Sequence, residues 1–257
     1  MDLGIKGRVA FVAASTAGLG LATARRLSAE GVKVVVAGRR GDLAASIASE
    51  LPGAIGVTLD VTDPSSVTAA LDTTRDQLGD IDILVLNSGG PAPGGPLDLG
   101  IEDQQRAAEL LLYPHQRMIA EVIEHMRSQR WGRIVAVGST AVVQPSQQLV
   151  LSSTFRAALA AYLKALAGTV AADGVTVNMV HPGRVATARL DQLDAAAAKR
   201  RGVTVDEVRA ESLASIPIGR AGDPDEFGAV VTFLCSVPAA YVTGEQIRVD
   251  GGVVRGW

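Results

Sequence analysis

The sequence predicts an α/β domain built on a doubly wound parallel sheet, and three observations carry that prediction. Short apolar runs rich in valine and isoleucine recur along the chain. Each is nearly continuous in apolar residues rather than alternating, as a parallel strand covered on both faces must be. Longer stretches with helix signals separate the runs, so each strand feeds a helix and right-handed crossovers follow.

The elements follow in order. Strands are expected at residues 8–14 (RVAFVAA), 32–38 (VKVVVAG), 54–59 (AIGVTL), 81–87 (IDILVLN), 133–139 (RIVAVGS) and 175–180 (VTVNMV). A short last strand in EQIRVDGG makes the sheet seven-stranded. One helix begins with Asp63 as N-cap and Pro64 at the first helical position. Asp223 and Pro224 open another in the same way. Residues 101–129 read as one long amphipathic helix kinked at Pro114. Residues 188–217 break the rhythm: alanine-rich and charged, they read as one or two helices lidding a ligand crevice, or as an inert surface excursion. No linker or repeat beyond the βα unit interrupts the chain, so residues 1–257 form a single domain.

Composition excludes several function classes. With 47% hydrophobic and 20% charged residues the chain reads as a globular domain. A net charge of −3 gives no reason to expect a nucleic-acid or membrane partner. The single cysteine, Cys235, forms no internal disulfide, and a cytoplasmic setting is expected. No signal peptide, no run of about 18 apolar residues and no metal-ligand cluster is read.

The first βα turn, AASTAGLGLATARRL, opens a helix with glycines where backbone N–H groups and the helix dipole can face an anion. Ser15, Gly18, Leu19 and Gly20 are therefore the candidate pyrophosphate loop of a Rossmann-type site. An acid at the end of the second strand would hold the ribose hydroxyls of NAD. Arg39 and Arg40 stand there instead, and guanidinium groups fork onto a phosphate. NADP(H) is expected over NAD(H).

Six later motifs follow in order: LDVTDP (59–64), LVLNSGG (84–90), GRIVAVGS (132–139), VTVNMVHPGRVAT (175–187), IPIGRAGDPDEF (216–227) and YVTGEQIRVDGG (241–252). Together the chain resembles the short-chain dehydrogenase/reductase family, in particular its 3-oxoacyl-acyl-carrier-protein-reductase-like branch. The resemblance implies that Asp60 and Val61 hold the adenine, and that Asn87, Ser88, Gly89 and Gly90 lie beside the cofactor ribose. It implies that Pro182 and Gly183 form the turn at the nicotinamide and that Thr187 holds its carboxamide. Ser139 matches the catalytic serine. A homotetramer or homodimer, joined through the long middle helices and the C-terminal segment, is also implied.

The catalytic set departs from the family. Its asparagine position is Leu111, its tyrosine position Ser152 and its lysine position Arg156, so the Tyr-x-x-x-Lys motif is missing. In the phosphate loop, Ala13 and Ala14 replace Thr-Gly, and alanine at the glycine position requires a turn without positive φ. Tyr162 and Lys164 do not rescue the motif, because residues two apart on a helix face different sides. LVLSSTFR and NSGGPAPGG resemble a side branch of the family carrying L-x-L-S-N-x-x-R and N-x-G-G-P-x-P-G. A serine hydroxyl is a far weaker acid than a phenol, whose ordinary pKa is about 10. Arginine keeps its charge, so Arg156 retains the ribose role while the proton relay is lost.

Candidate proton donors are Tyr113 and His115, beside the lost asparagine, and His181, before the Pro-Gly turn. The alternative for Tyr113 and His115 is an interface or solvent-facing residue. His125 reads as a surface residue. Gln144, Gln147, Gln148 and the stiff loop GGPAPGGP (89–96) are candidates for lining the substrate. The leading expectation is an NADP(H)-dependent oxidoreductase acting on a small carbonyl, enone or imine, with Ser139, Ser152 and Arg156 as its atypical catalytic set. A nucleotide-binding sensor or scaffold without turnover, or a lyase or isomerase reusing the crevice, are the alternatives.

Overall fold

Seven strands make one all-parallel sheet in the order β3-β2-β1-β4-β5-β6-β7 in the computed structural model, which describes residues 1–256. The strands are β1 (Val9–Val12), β2 (Lys33–Gly38), β3 (Ile55–Thr58), β4 (Ile83–Leu86), β5 (Gly132–Val137), β6 (Val175–Pro182) and β7 (Gln246–Val249). Alternate residues of each strand serve opposite faces. Val9 and Phe11 pack with Met118 and Leu163 on one side, while Ala10 and Val12 pack with Leu27 and Phe227 on the other. That two-sided burial is why the strand runs are continuously apolar.

The helices are α1 (Gly18–Ala29), α2 (Gly41–Ser49), α3 (Pro64–Leu78), α4 (Ile101–Leu111), α5 (Tyr113–Ser128), α6 (Val150–Val170), α7 (Ala188–Arg201), α8 (Val205–Ala214) and α9 (Pro224–Leu234). The two Asp-Pro openings behave as the sequence predicts. The Asp63 carboxylate accepts from Ser65 N at 2.9 Å, and Asp223 accepts from Asp225 N at 2.8 Å. The expected single helix over 101–129 is two helices. It breaks at Leu112 (φ −123°, ψ −65°) because Pro114, in the first turn of α5, has no N–H to continue α4. Residues 188–217 contain α7 and α8.

Helix α6 is long and apolar enough to cross a bilayer by length and composition. Here it is a core helix, with Leu159, Leu163 and Ala167 packed against the sheet cluster. Ala157, Ala158, Ala161 and Ala165 on its other side are exposed.

The strand order reverses between β1 and β4, and the C-terminal ends of those strands open a crevice.

Candidate active site

The loop from β1 into α1 forms one wall. Ala14 adopts φ 48°, the left-handed region. The expectation that this turn avoids positive φ is therefore wrong. A side chain there costs about 1–2 kcal/mol, and the turn is held by Asn87 Nδ2 donating to the Ala14 carbonyl at 3.1 Å. Gly20 is obligatory, since a Cβ would lie 2.5 Å from the Ala14 carbonyl oxygen and 2.9 Å from Asn87 Nδ2. Gly18 (φ 55°) faces Thr187, whose Cγ2 would be 3.5 Å from a Cβ. Ala17 offers no side-chain cap to α1, leaving its first N–H groups to face an anion. Leu19 packs on the core beneath the loop. Ser15 departs from its expected role as a cofactor ligand. Its hydroxyl is fully buried, donating to Val12 O at 2.6 Å and accepting from Ala37 N at 2.9 Å, and it ties β1 to β2.

Thr16 is a residue that sequence reading missed. Its methyl and hydroxyl would lie 2.8 and 3.1 Å from a Cβ on Gly38, so it sits against the end of β2 beside Arg39. Arg39 and Arg40 are exposed, and neither enters an ion pair among the described residues. The Asp60 carboxylate accepts from Thr62 Oγ1 at 2.7 Å and Thr62 N at 3.0 Å, which holds its pKa below the usual value. The Val61 side chain belongs to the core, so only its backbone can meet a ligand. Gly89 is exposed with open space around it. These features fit a dinucleotide: a cradle without room for side chains, a free helix N-terminus and two unpaired guanidinium groups.

The chemistry sits at the ends of β5 and β6. Ser139 follows β5, half-buried, and its hydroxyl accepts from Ala141 N at 3.1 Å. Its backbone N–H donates to His181 Nδ1 at 3.0 Å, so that nitrogen must be an acceptor and the proton resides on Nε2. Nε2 meets Gln246 Oε1 at 2.9 Å, and the ring is fully buried. Burial holds the His181 pKa below its usual value. Gly138 makes room for the ring, since a Cβ there would lie 2.2 Å from Nδ1. His181 thus positions the Ser139 backbone and does not reach the crevice.

Ser152 lies in the first turn of α6, half-buried, with no side-chain hydrogen bond among the described residues. Arg156, one turn on, shares its face. Arg156 is 7% exposed and points inward to donate to the Val137 carbonyl, two residues before Ser139. Burial first and the Arg189 charge second lower its pKa to about 10. One helix face therefore brings Ser152 and Arg156 to the strand end that carries Ser139.

Leu111, at the lost asparagine position, is fully buried, and its carbonyl pairs with His115 Nδ1 at 2.9 Å. His115 is also fully buried, which corrects the solvent or interface alternative. The break at Leu112 turns the start of α5 inward. Burial, and then the Arg156 charge, hold His115 at about 4, so it is neutral near neutral pH. Its Nε2 has no partner among the described residues. Tyr113, by contrast, is 44% exposed. Gln144, Gln147 and Gln148 are exposed. Tyr162 packs on the core, and His125 lies 3.4 Å from Asp80.

Pro182 ends β6, and Gly183 lies so close to β7 that a Cβ would be 2.6 Å from Asp250 Cα. Thr187 caps α7, with its hydroxyl accepting from Leu190 N at 3.4 Å. Helix α7 is latched to the segment that leaves β6 by the Arg184–Asp194 ion pair, in which Asp194 is 2% exposed. Arg189 in its first turn reaches across to donate to Pro91 O at 3.3 Å in the glycine-proline loop. That loop is pinned to α6, with Gly94 N donating to Gln148 O at 2.9 Å and Gly94 O accepting from Val150 N at 3.4 Å.

Comparison with known proteins places this geometry in context. A family model described as enoyl-(acyl carrier protein) reductase matches residues 13–254. The chain is 36% identical over 248 residues to the short-chain reductase protein NovJ of Streptomyces niveus, covering 95% of this chain and 93% of that protein. It is 33% identical over 252 residues to the 3-oxoacyl-[acyl-carrier-protein] reductase FabG of Vibrio harveyi, covering 98% and 99%. Among solved structures, L-sorbose reductase from Gluconobacter frateurii complexed with NADPH and L-sorbose superposes with a TM-score of 0.93 at 30% identity, over 100% of both chains.

Proposed function

The chain belongs to the short-chain dehydrogenase/reductase family, is 3-oxoacyl-carrier-protein-reductase-like and is an NAD(P)-dependent oxidoreductase; from that premise we propose that it reduces a small conjugated carbonyl or imine with NADPH through an atypical Ser139–Ser152–Arg156 site. The observation that carries the reading is Arg156. It fills the lysine position, is buried, and turns toward the crevice rather than into solvent.

The cofactor would lie against Gly18, Leu19 and Gly20, with Thr16, Arg39 and Arg40 around a ribose phosphate. Asp60 and the Val61 backbone would meet the adenine. Asn87 and Gly89 would border the second ribose, and Pro182, Gly183 and Thr187 the nicotinamide. When bound, the dinucleotide supplies a hydride. Arg156 has five N–H donors, and its bond to Val137 leaves others for the ribose hydroxyls. Ser139 and Ser152 would donate to the oxygen on which negative charge develops. Neither serine is a useful acid, and His115 and His181 are buried and neutral. Water therefore supplies the proton. An enone or iminium, which needs no strong acid as hydride arrives, suits this site better than a plain ketone.

The lid reading of residues 188–217 is supported by the reach of Arg189 from α7 to Pro91. The exposed alanine face of α6 supports a homodimer or homotetramer. The relatives and the lone buried cysteine support a cytoplasmic setting. A panel of ketones, enones and imines with NADPH and NADH tests the reaction: strong turnover of simple ketones alone would count against it. The double variant R39A/R40A should raise the Kd for NADPH more than tenfold and leave NADH unchanged. A second reading, a dinucleotide sensor without turnover, is favoured by the absence of an accessible acid. Tight NADPH binding with no turnover on the whole panel would select it.

A further inference from the structure

The chain carries a net charge of −3, yet its crevice is lined by cations without counter-ions among the described residues. Arg156 is buried and bonded only to the Val137 carbonyl. Arg189 is bonded only to Pro91 O, its guanidinium lying flat against Gly90, where a Cβ would be 2.8 Å from Nη2. The two cations lie near enough that one shifts the titration of the other. Among the described residues no acid pairs with either. The acids of α7 are committed elsewhere, Asp191 to Arg209 at 2.6 Å and Asp194 to Arg184. Holding a guanidinium in a buried place without an anion is costly. Low-dielectric walls also focus its field onto whatever enters.

We propose that the crevice takes a substrate bearing a carboxylate, received by Arg189 of the lid helix and steered by the charge of Arg156. The proposal rests on the reductase reading and narrows its substrate class. The pyrophosphate has its own provision in the glycine turn and the uncapped α1 N-terminus. The carboxylate would exchange the weak Arg189 bond to Pro91 for a forked, charge-assisted pair. Binding would thereby draw α7 over the glycine-proline loop.

The test uses full-length protein saturated with NADP+, titrated by calorimetry with levulinate and with methyl levulinate, its neutral ester. Turnover is measured in parallel on a straight-chain enone ending in a carboxylate and on its methyl ester. Wild type should bind the acid at least tenfold more tightly than the ester. Arg189→Gln, at an exposed position, should weaken binding of the acid about tenfold to hundredfold and leave the ester and NADP+ unchanged. Equal binding of acid and ester by wild type, with NADP+ affinity intact, would overturn this proposal alone. A loss of NADP+ affinity in Arg189→Gln would make the residue a cofactor clamp and overturn it as well. Absence of NADP+ binding by wild type would instead defeat the dinucleotide reading on which both rest.

Discussion

Strand β5 carries a buried arginine environment at each end, and the two differ in one respect. Near its start Arg133, 2% exposed, donates to three carbonyls: Ser236 O at 3.1 Å, Gly132 O at 2.8 Å and Gly174 O at 3.3 Å. Its guanidinium also stacks on Trp131 at 4.5 Å. At the other end Arg156 has the Val137 carbonyl alone. Neither has a carboxylate. The first cation is saturated by the fold, and the second is left with donors to spare. Burial alone therefore does not mark a functional charge. Unused hydrogen-bonding capacity facing a crevice does.

The comparison can be broken by experiment, and the largest effect should come from Arg156→Met. We expect kcat/KM to fall about hundredfold or more, while urea unfolding gives unchanged or higher stability, because an uncompensated buried charge has been removed. Lower urea stability of Arg156→Met with kcat/KM retained would reverse the assignment. Next is the pH dependence set by His115. Its pKa is about 4 folded, against an ordinary 6.5, so the unfolded chain binds more protons between those values. Stability is then full above about pH 6.5 and falls as pH drops toward 4, by on the order of 3 kcal/mol. His115→Gln should flatten that slope. Because Arg156 contributes to the depression, Arg156→Met should make the fall smaller and end it at higher pH, with its onset unchanged.

Arg133→Met should do the reverse of Arg156→Met. Losing these three hydrogen bonds should cost about 3 kcal/mol, seen as a lower urea midpoint, with NADPH affinity unchanged. The smallest effect belongs to the phosphate loop. Ala14→Gly should relieve the positive φ and add about 1 kcal/mol, with the cofactor Kd the same or tighter. Destabilisation by this change would show that the Ala14 side chain gives more in packing than it costs in backbone strain.

Much of the candidate site was legible because it depends on local rules. A glycine turn opening a helix, an arginine pair ending a strand and a serine ending another need only sequence spacing. Three features were not legible. Ser15 lies in the loop motif, but its hydroxyl faces β2, a direction no motif specifies. Thr16 gives no signal except its packing on Gly38, twenty-two residues away. His115 reads either as a proton donor beside a kink or as a helix-surface residue, and the break at Leu112 buries it completely, which neither reading specifies.

The sequence by itself determined the seven strands, their two-sided burial, the Asp-Pro helix starts and the loss of the phenol and ammonium groups. These follow from residue type and from periods of a few residues. Tertiary structure alone decided which charges are compensated. Arg133 and Arg156 are the same residue in the same fold, and only the carbonyls brought to them from distant segments make one structural and leave the other open to a ligand.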